Sequence, residues 1–399
     1  MLTVAQALEA VLANAKPLDV ETTALNRATG RTLARPVVAL RTQPPAAVSA
    51  MDGYAVRAVD AKFGARLAII GAAPAGSPFE GTVNTGEACR IFTGAVVPKG
   101  ADAVIIQENV EANNLTIELQ AAGYRGDNIR PAGIDFQTGA ALISASTLLA
   151  PRHIALAAAA NHGELVVTRK PVVAIIATGD ELRTPGSALE PGQIIASNSY
   201  AVAAMAHQHG ARVLDMGIVP DDNAAIAASI RVALRDGADV IVTLGGASVG
   251  DHDLVQGVLK DLGVALDFWK IAMRPGKPLM FGQLGATKIL GLPGNPVSAY
   301  VCAQLFLLPL IAALQGRAFK QNIRKAVLAK ALPANGPREH YARGRIIGET
   351  DEGFPIVETF MDQDSSLLVP LAASDCLVVQ AAGEGGMGIG EKVNTILLG

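Results

Sequence analysis

Two apolar runs, PVVAIIA at residues 171–177 and DVIVTL at 239–244, constrain this chain more than any other feature. An apolar run without alternation predicts a strand buried on both faces, and such a strand needs helices above and below its sheet. The surrounding sequence supplies them. Residues 199–209 and 224–234 carry helical patterns, 212–219 is a strand, 253–262 is helical, 264–271 is extended, and 297–314 is a long apolar helix. Strands alternating with helices predict a parallel three-layer α/β domain, here over residues 170–320.

The remainder of the 399 residues needs further units, because one hydrophobic core stops growing near ~250–300 residues. Thr3 and Gln6 form a capping box for a first helix, and Pro151 starts another that ends near Asn161 and Gly163. Between them, short apolar runs (67–70, 103–106, 115–119) separated by Gly, Pro and Asn predict β-rich structure. After Gly316 the runs 324–332, 342–349, 354–359, 376–380 and 393–398 predict a small terminal β-barrel. The residues thus give a first helix, β-rich structure from about Pro17 to Ala141, a second helix, the α/β domain and a terminal barrel.

Composition removes several functions. With 50% hydrophobic and 17% charged residues, the chain collapses rather than staying disordered. Aromatics are 4% and the net charge is −3, which argues against nucleic acid as a partner. Cys89, Cys302 and Cys376 are too far apart for a disulfide framework or zinc cluster, as in a reduced cytoplasmic protein. The N-terminus lacks the basic start and apolar core of a secretory signal. The uncharged stretch 289–316 is broken by prolines, and its compact apolar part is short for a membrane span, so a buried helix is expected.

Ligands of open α/β sheets bind beyond the carboxyl ends of the strands. Two loops fall there. One is Gly179-Asp180-Glu181; the other contains Gly245, Gly246, Ser248, Gly250 and Asp253. Small residues allow close backbone approach, and helix starts favour anions. A plain βα turn, with Asp253 as a helix cap, is the alternative. MRPGKP, with Arg274 and Lys277, follows Lys270; these cations suit an oxyanion, or a solvated turn. Pro293, Gly294, Asn295 and Pro296 join a strand to the long helix. Gly383–Gly388 matches G-x-G-x-x-G, but no helix follows, so a barrel turn is expected. The histidines form no metal cluster.

SAMDGYAVR, RIFTGAVVP, NIR with a following Asp, ATGDEL, TLGGASVGDHD, MRPGKP and LPGNPVSA occur in one order along the chain. Together they resemble the molybdopterin molybdenumtransferase (MoeA) family, which includes the C-terminal domain of gephyrin. The resemblance spans essentially the whole chain. It implies an L-shaped subunit of four parts, a helical linker unit (1–45 with 142–169), a β-rich domain inserted into it (46–141), the α/β domain (170–320) and the barrel (321–399), and a homodimer whose active cleft is shared between subunits. It also implies insertion of molybdate into adenylylated molybdopterin, with release of AMP and with Mg²⁺ as the divalent cation. The family's site positions map onto Asp52, Thr93 and Asp135 on the partner-contributed domain. On the α/β domain they map onto Glu181, Asp253, Lys270, Arg274, Pro293 and Pro296, and in the barrel onto Arg343 and Ser365. The cation's acids would come from Glu181, Asp253 and either Asp221 or Asp222. Lys270, Arg274 and Lys277 would neutralise molybdate. Arg274 departs from the Lys common in bacterial members, a planar fork for a point charge. A molybdopterin adenylyltransferase is the rival enzyme reading and an expected pathway partner; a gephyrin-like scaffold is the non-catalytic rival.

Overall fold

The structure is a computed structural model that describes residues 1–245 and 254–398. Its central sheet has six strands in the order Arg212–Val219, Val172–Thr178, Val240–Leu244, Thr287–Leu292, Met280–Leu284, Ala265–Phe268. The first four are parallel, as the βαβ pattern predicts. Met280–Leu284 runs against both its neighbours, so Ala265–Phe268 points the same way as the first four; this one reversed strand corrects the purely parallel sheet expected from sequence. The reason is local. Only Gly285 and Ala286 separate Met280–Leu284 from Thr287–Leu292, and so short a link closes a hairpin and no crossover.

Successive side chains of a strand point to opposite faces, and the buried runs serve two separate cores. Val173, Ile175, Val240, Val242 and Leu290 pack with the helices Ser197–Gln208 and Pro296–Leu314. Ala174, Ile176, Ile241 and Ile289 pack on the other face with Asn223–Arg235 and Leu254–Asp261. The helix Pro296–Leu314 is apolar enough to cross a membrane, yet 83% of it is buried within the fold, so it is a core helix. It widens to a π-turn over Ala303–Leu307. Pro309 follows; it has no N–H for the Leu305 carbonyl and its ring crowds that turn.

The first helix, Val4–Ala13, carries the expected Thr3–Gln6 capping box. It does not pack with the linker unit. Val4, Ala7 and Val11 join the α/β core beside Leu314. The linker unit is stitched by Val20–Ala24 pairing with Glu164–Thr168 and Val37–Val38 with Ala141–Ile143. Its helix Pro151–Ala159 ends with Asn161 in the left-handed region (φ 75°), a conformation Asn tolerates, before Gly163 is reached. The insertion forms a six-stranded sheet in which Gly53–Val56 lies between Ala103–Ile106 and Glu87–Ile91.

The C-terminal strands close on themselves in the order Glu339–Glu349, Pro355–Thr359, Ile323–Leu328, Lys392–Leu397, Cys376–Gln380 and back to Glu339–Glu349. That is a five-stranded barrel. Met273–Arg274 adds to it, parallel to Glu339–His340, and so fastens the α/β domain to the barrel. The Gly383–Gly388 segment contributes one isolated bridge, Leu332–Met387, as expected of a turn.

Candidate functional site

The parallel strands run in the spatial order second, first, third, so the connections leave to opposite sides between Val172–Thr178 and Val240–Leu244. That reversal opens a crevice at the carboxyl ends of those two strands. A cavity of about 460 Å³ lies there. Its walls include Thr178 and Glu181 from the first loop, Gly245 from the third, Gly294, Asn295 and Pro296, and Ser366 of the barrel. Gly245 has φ +92°, and a Cβ on it would lie 2.7 Å from the Thr178 carbonyl oxygen, so only glycine keeps the two strand ends this close.

The Gly294 carbonyl accepts from the Asn198 amide at 2.7 Å, and Asn295 donates to the Ser365 hydroxyl at 2.8 Å. Ser365 also accepts the Val297 N–H through its carbonyl at 3.0 Å, so this first-turn amide is bonded within the protein. Pro296 occupies the first helical position, as its fixed φ favours. Asn198 and Ser366 escaped the sequence reading. The polar trio Ser197-Asn198-Ser199 was the signal for Asn198, since it marks a helix start two residues earlier than apolar periodicity does; Ser366 had none.

Arg343, read from sequence as a substrate contact, is 1% exposed. Its guanidinium donates to the Gln363 side chain and to the carbonyls of Asp362, Asp364 and Leu367. It therefore shapes the loop that carries Ser365 and offers no free face to a ligand.

The acids beside the crevice separate into roles. Asp222 caps the helix Asn223–Arg235, accepting from Ala225 N at 2.8 Å. Asp221 faces Asp180, which accepts its N–H at 3.1 Å. Burial lifts the Asp221 carboxyl above its usual range; a backbone hydrogen bond from Asp180 works against this, and the charges of Asp180 and Glu181 push it up again. Among the described residues no three His, Cys, Asp or Glu side chains form a chelating group. Gly246, Ser248, Gly250 and Asp253 lie outside the described residues.

The three cations do not line the 460 Å³ cavity. The Lys270 ammonium sits 5.2 Å from the Trp269 ring centre. Lys277 holds its turn through a carbonyl that accepts from Ile271 N. Arg274 lines a second cavity, about 410 Å³, with Lys330, His340, Gln363 and Gln380. Gly276 between them (φ +105°) packs against the long helix, where a Cβ would lie 2.5 Å from Cys302 Sγ.

On the insertion, Val48–Ser49 pairs with Ile129–Arg130 and Gly94 N donates to Ser49 O, which draws the SAMDGYAVR, NIR and TGA segments together. One Asp52 carboxylate oxygen accepts from Thr93 N at 2.7 Å and from Thr93 Oγ1 at 2.8 Å. These bonds, with the charge of Arg90, hold the Asp52 carboxyl below its usual range. The Arg90 guanidinium lies about 5 Å from the ring centres of both Tyr54 and Phe92. Asp135 is exposed in a loop tied back to Gln43 and does not join the Asp52–Thr93 pair.

A crevice at the switch point of a doubly wound sheet, a sheet-bearing insertion and a five-stranded barrel define a multidomain α/β protein with a ligand site on the α/β unit. Three family models cover it: MoeA N-terminal region (domain I and II) over residues 2–161, "Probable molybdopterin binding domain" over 174–313, and MoeA C-terminal region (domain IV) over 325–398. A molybdopterin molybdenumtransferase of Nostoc sp. is 37% identical over 95% of this chain and 89% of its own length. That of Haemophilus influenzae is 35% identical over 98% of both. The crystal structure of a molybdopterin biosynthesis MoeA protein from Pyrococcus horikosii superposes with a TM-score of 0.84 at 30% identity, covering 100% of this chain and 99% of that one. The chain belongs to the molybdopterin molybdenumtransferase (MoeA) family.

Proposed function

We propose that this protein is a transferase that inserts molybdate into adenylylated molybdopterin, releasing AMP, as the last step of molybdenum cofactor synthesis. The observation that carries this reading is the switch-point crevice, whose glycine walls at Gly245 and Gly294 admit a flat, phosphorylated ligand to the backbone. An adenylyltransferase reading accounts for the crevice but leaves the insertion and barrel without a task, and a scaffold reading leaves the crevice without one.

In this reading the crevice orients the pterin, and Ser365, seated by Arg343, closes its barrel side. Arg274, Lys270 and Lys277, which stand outside the crevice wall, supply the positive charge that a tetrahedral dianion needs as it approaches. Mg²⁺ typically takes one or two carboxylates together with substrate phosphates, not an all-protein cage. Glu181, Asp221 and Asp253 suit that arrangement, while Asp222 is committed as a helix cap. When bound, the ion would offset charge on the phosphoanhydride. Asp52, Thr93 and Asp135 belong to the partner's contribution in a homodimer, acting in the cytoplasm beside the adenylyltransferase that makes the substrate.

The test is molybdate-dependent AMP release from adenylylated molybdopterin, with Asp253→Asn expected to abolish it while the fold survives. Full activity in that variant removes Asp253 from the chemistry, and absence of any molybdate-dependent AMP release in the unaltered protein removes the reading. Mixing Asp52→Asn and Asp253→Asn chains tests the shared cleft. Random pairing restores about a quarter of normal activity if each cleft takes Asp52 from the partner, and none if both acids act within one chain.

A further inference from the structure

Arg274 has a companion that the motif does not contain. The parallel pairing of Met273–Arg274 with Glu339–His340 sets Arg274 opposite His340 in register. Arg274 Nη2 lies 3.0 Å from Nδ1 and 3.1 Å from Nε2 of the His340 ring. His340 is 7% exposed and lines the same 410 Å³ cavity as Arg274. Burial, then the charges of Arg274, Arg343 and Arg338, lower the imidazole pKa to about 4. The ring is therefore neutral near pH 7, and Nη2, almost equidistant from both ring nitrogens, rests against its face without charge repulsion.

A guanidinium binds an oxyanion through a planar fork, and the fork must be aimed, whereas an ammonium is a point charge with rotating donors. An Arg on its long stem needs a fixed partner that leaves the other donors free. The His340 ring, immobilised in the barrel wall, meets that need at one nitrogen of Arg274. We propose that His340 is a positioning residue that holds the Arg274 guanidinium against the wall between the basic segment and the barrel, aiming its free N–H groups at a tetrahedral oxyanion. This rests on the assignment of Arg274 to molybdate made above.

The experiment measures molybdate KM and kcat for AMP release in the full-length protein and in His340→Leu, His340→Gln, Arg274→Ala and the Leu–Ala double variant. His340→Leu is expected to raise the molybdate KM roughly tenfold, the effect of one lost contact between a guanidinium and a ring face. It leaves kcat at saturating molybdate and the KM for adenylylated molybdopterin within about twofold. His340→Gln, which keeps a planar polar group, recovers most of the loss, and His340→Leu adds nothing once Arg274 is alanine. If Arg274→Ala raises the molybdate KM but His340→Leu does not, the positioning role is wrong and the oxyanion role stands. If Arg274→Ala has no effect, both fall. Should His340→Leu fail to fold, an NMR titration of His340 decides: its midpoint rises in Arg274→Ala when the guanidinium is its neighbour, and an unchanged midpoint overturns the pairing.

Discussion

Replacing Arg343 by Met tests how the barrel builds one wall of the crevice. The side chain is almost fully buried and its guanidinium bonds Gln363 Oε1 at 3.3 Å, Leu367 O at 2.9 Å, Asp362 O at 3.2 Å and Asp364 O at 2.9 Å. Hydrogen bonds from a charged donor contribute about 1.5–3 kcal/mol each, so simple addition gives about 6–12 kcal/mol. That sum is too large. The carbonyls belong to a loop that can turn to water, and burying the guanidinium has its own desolvation cost. Loss of about 3–5 kcal/mol is the expected result, the range for removing one partner of a buried charged network. Met keeps the length and apolar stem, so cavity formation adds little. With the loop released, Ser365 loses its hold on Asn295 and Val297. The KM for adenylylated molybdopterin should rise while the rest of the α/β domain stays intact. Urea unfolding gives the stability, and hydrogen exchange across residues 360–368 locates the loss. A change below about 1 kcal/mol with those amides still protected would falsify the argument. Arg343→Lys should fall between, because an ammonium cannot bridge carbonyls spread along three loop residues.

Gly245→Ala should cost about 1–3 kcal/mol and weaken pterin substrate binding, because the new Cβ sits 2.7 Å from Thr178 O at a left-handed φ; unchanged melting and KM would contradict this. His340 makes the fold acid-sensitive. Its folded pKa of about 4 lies below the ordinary 6.5, so protons favour the unfolded chain, and its contribution is intact above pH 6.5 and lost as pH falls toward 4. The loss is on the order of 3 kcal/mol, and urea midpoints at pH 7 and 4.5 should diverge less in His340→Gln than in the unaltered protein. Asp239→Ala should destabilise the junction between linker and α/β domain, since its carboxylate takes both Arg169 Nη1 and Nη2, at 2.7 and 2.6 Å, and also Val172 N; equal melting temperatures would discount that junction.

Much of the α/β domain was legible because burial leaves a direct mark on sequence. PVVAIIA and DVIVTL lack alternation since Val173 and Ala174 serve cores on opposite faces of one sheet. The Thr3–Gln6 capping box was equally readable, being a local exchange of hydrogen bonds. The hairpin Met280–Leu284 was not, as MFGQL is too short and mixed to separate strand from loop. The first helix showed its apolar face but not the core that the face joins.

The site divides along the same line. Residue order alone placed Gly179–Glu181 and Gly245 after buried strands, because a strand ending and a helix beginning are local events. Family membership was also legible there, in motifs spread over most of the chain. Folding then separated residues that sequence had grouped. Asp222 became a cap while its neighbour Asp221 faced Asp180 and Glu181, Arg343 was spent inside the barrel, and Arg274 turned toward His340. The Asp222 cap is local, three residues from Ala225, but the other assignments depend on which partner, tens of residues away, meets the side chain when the layers close.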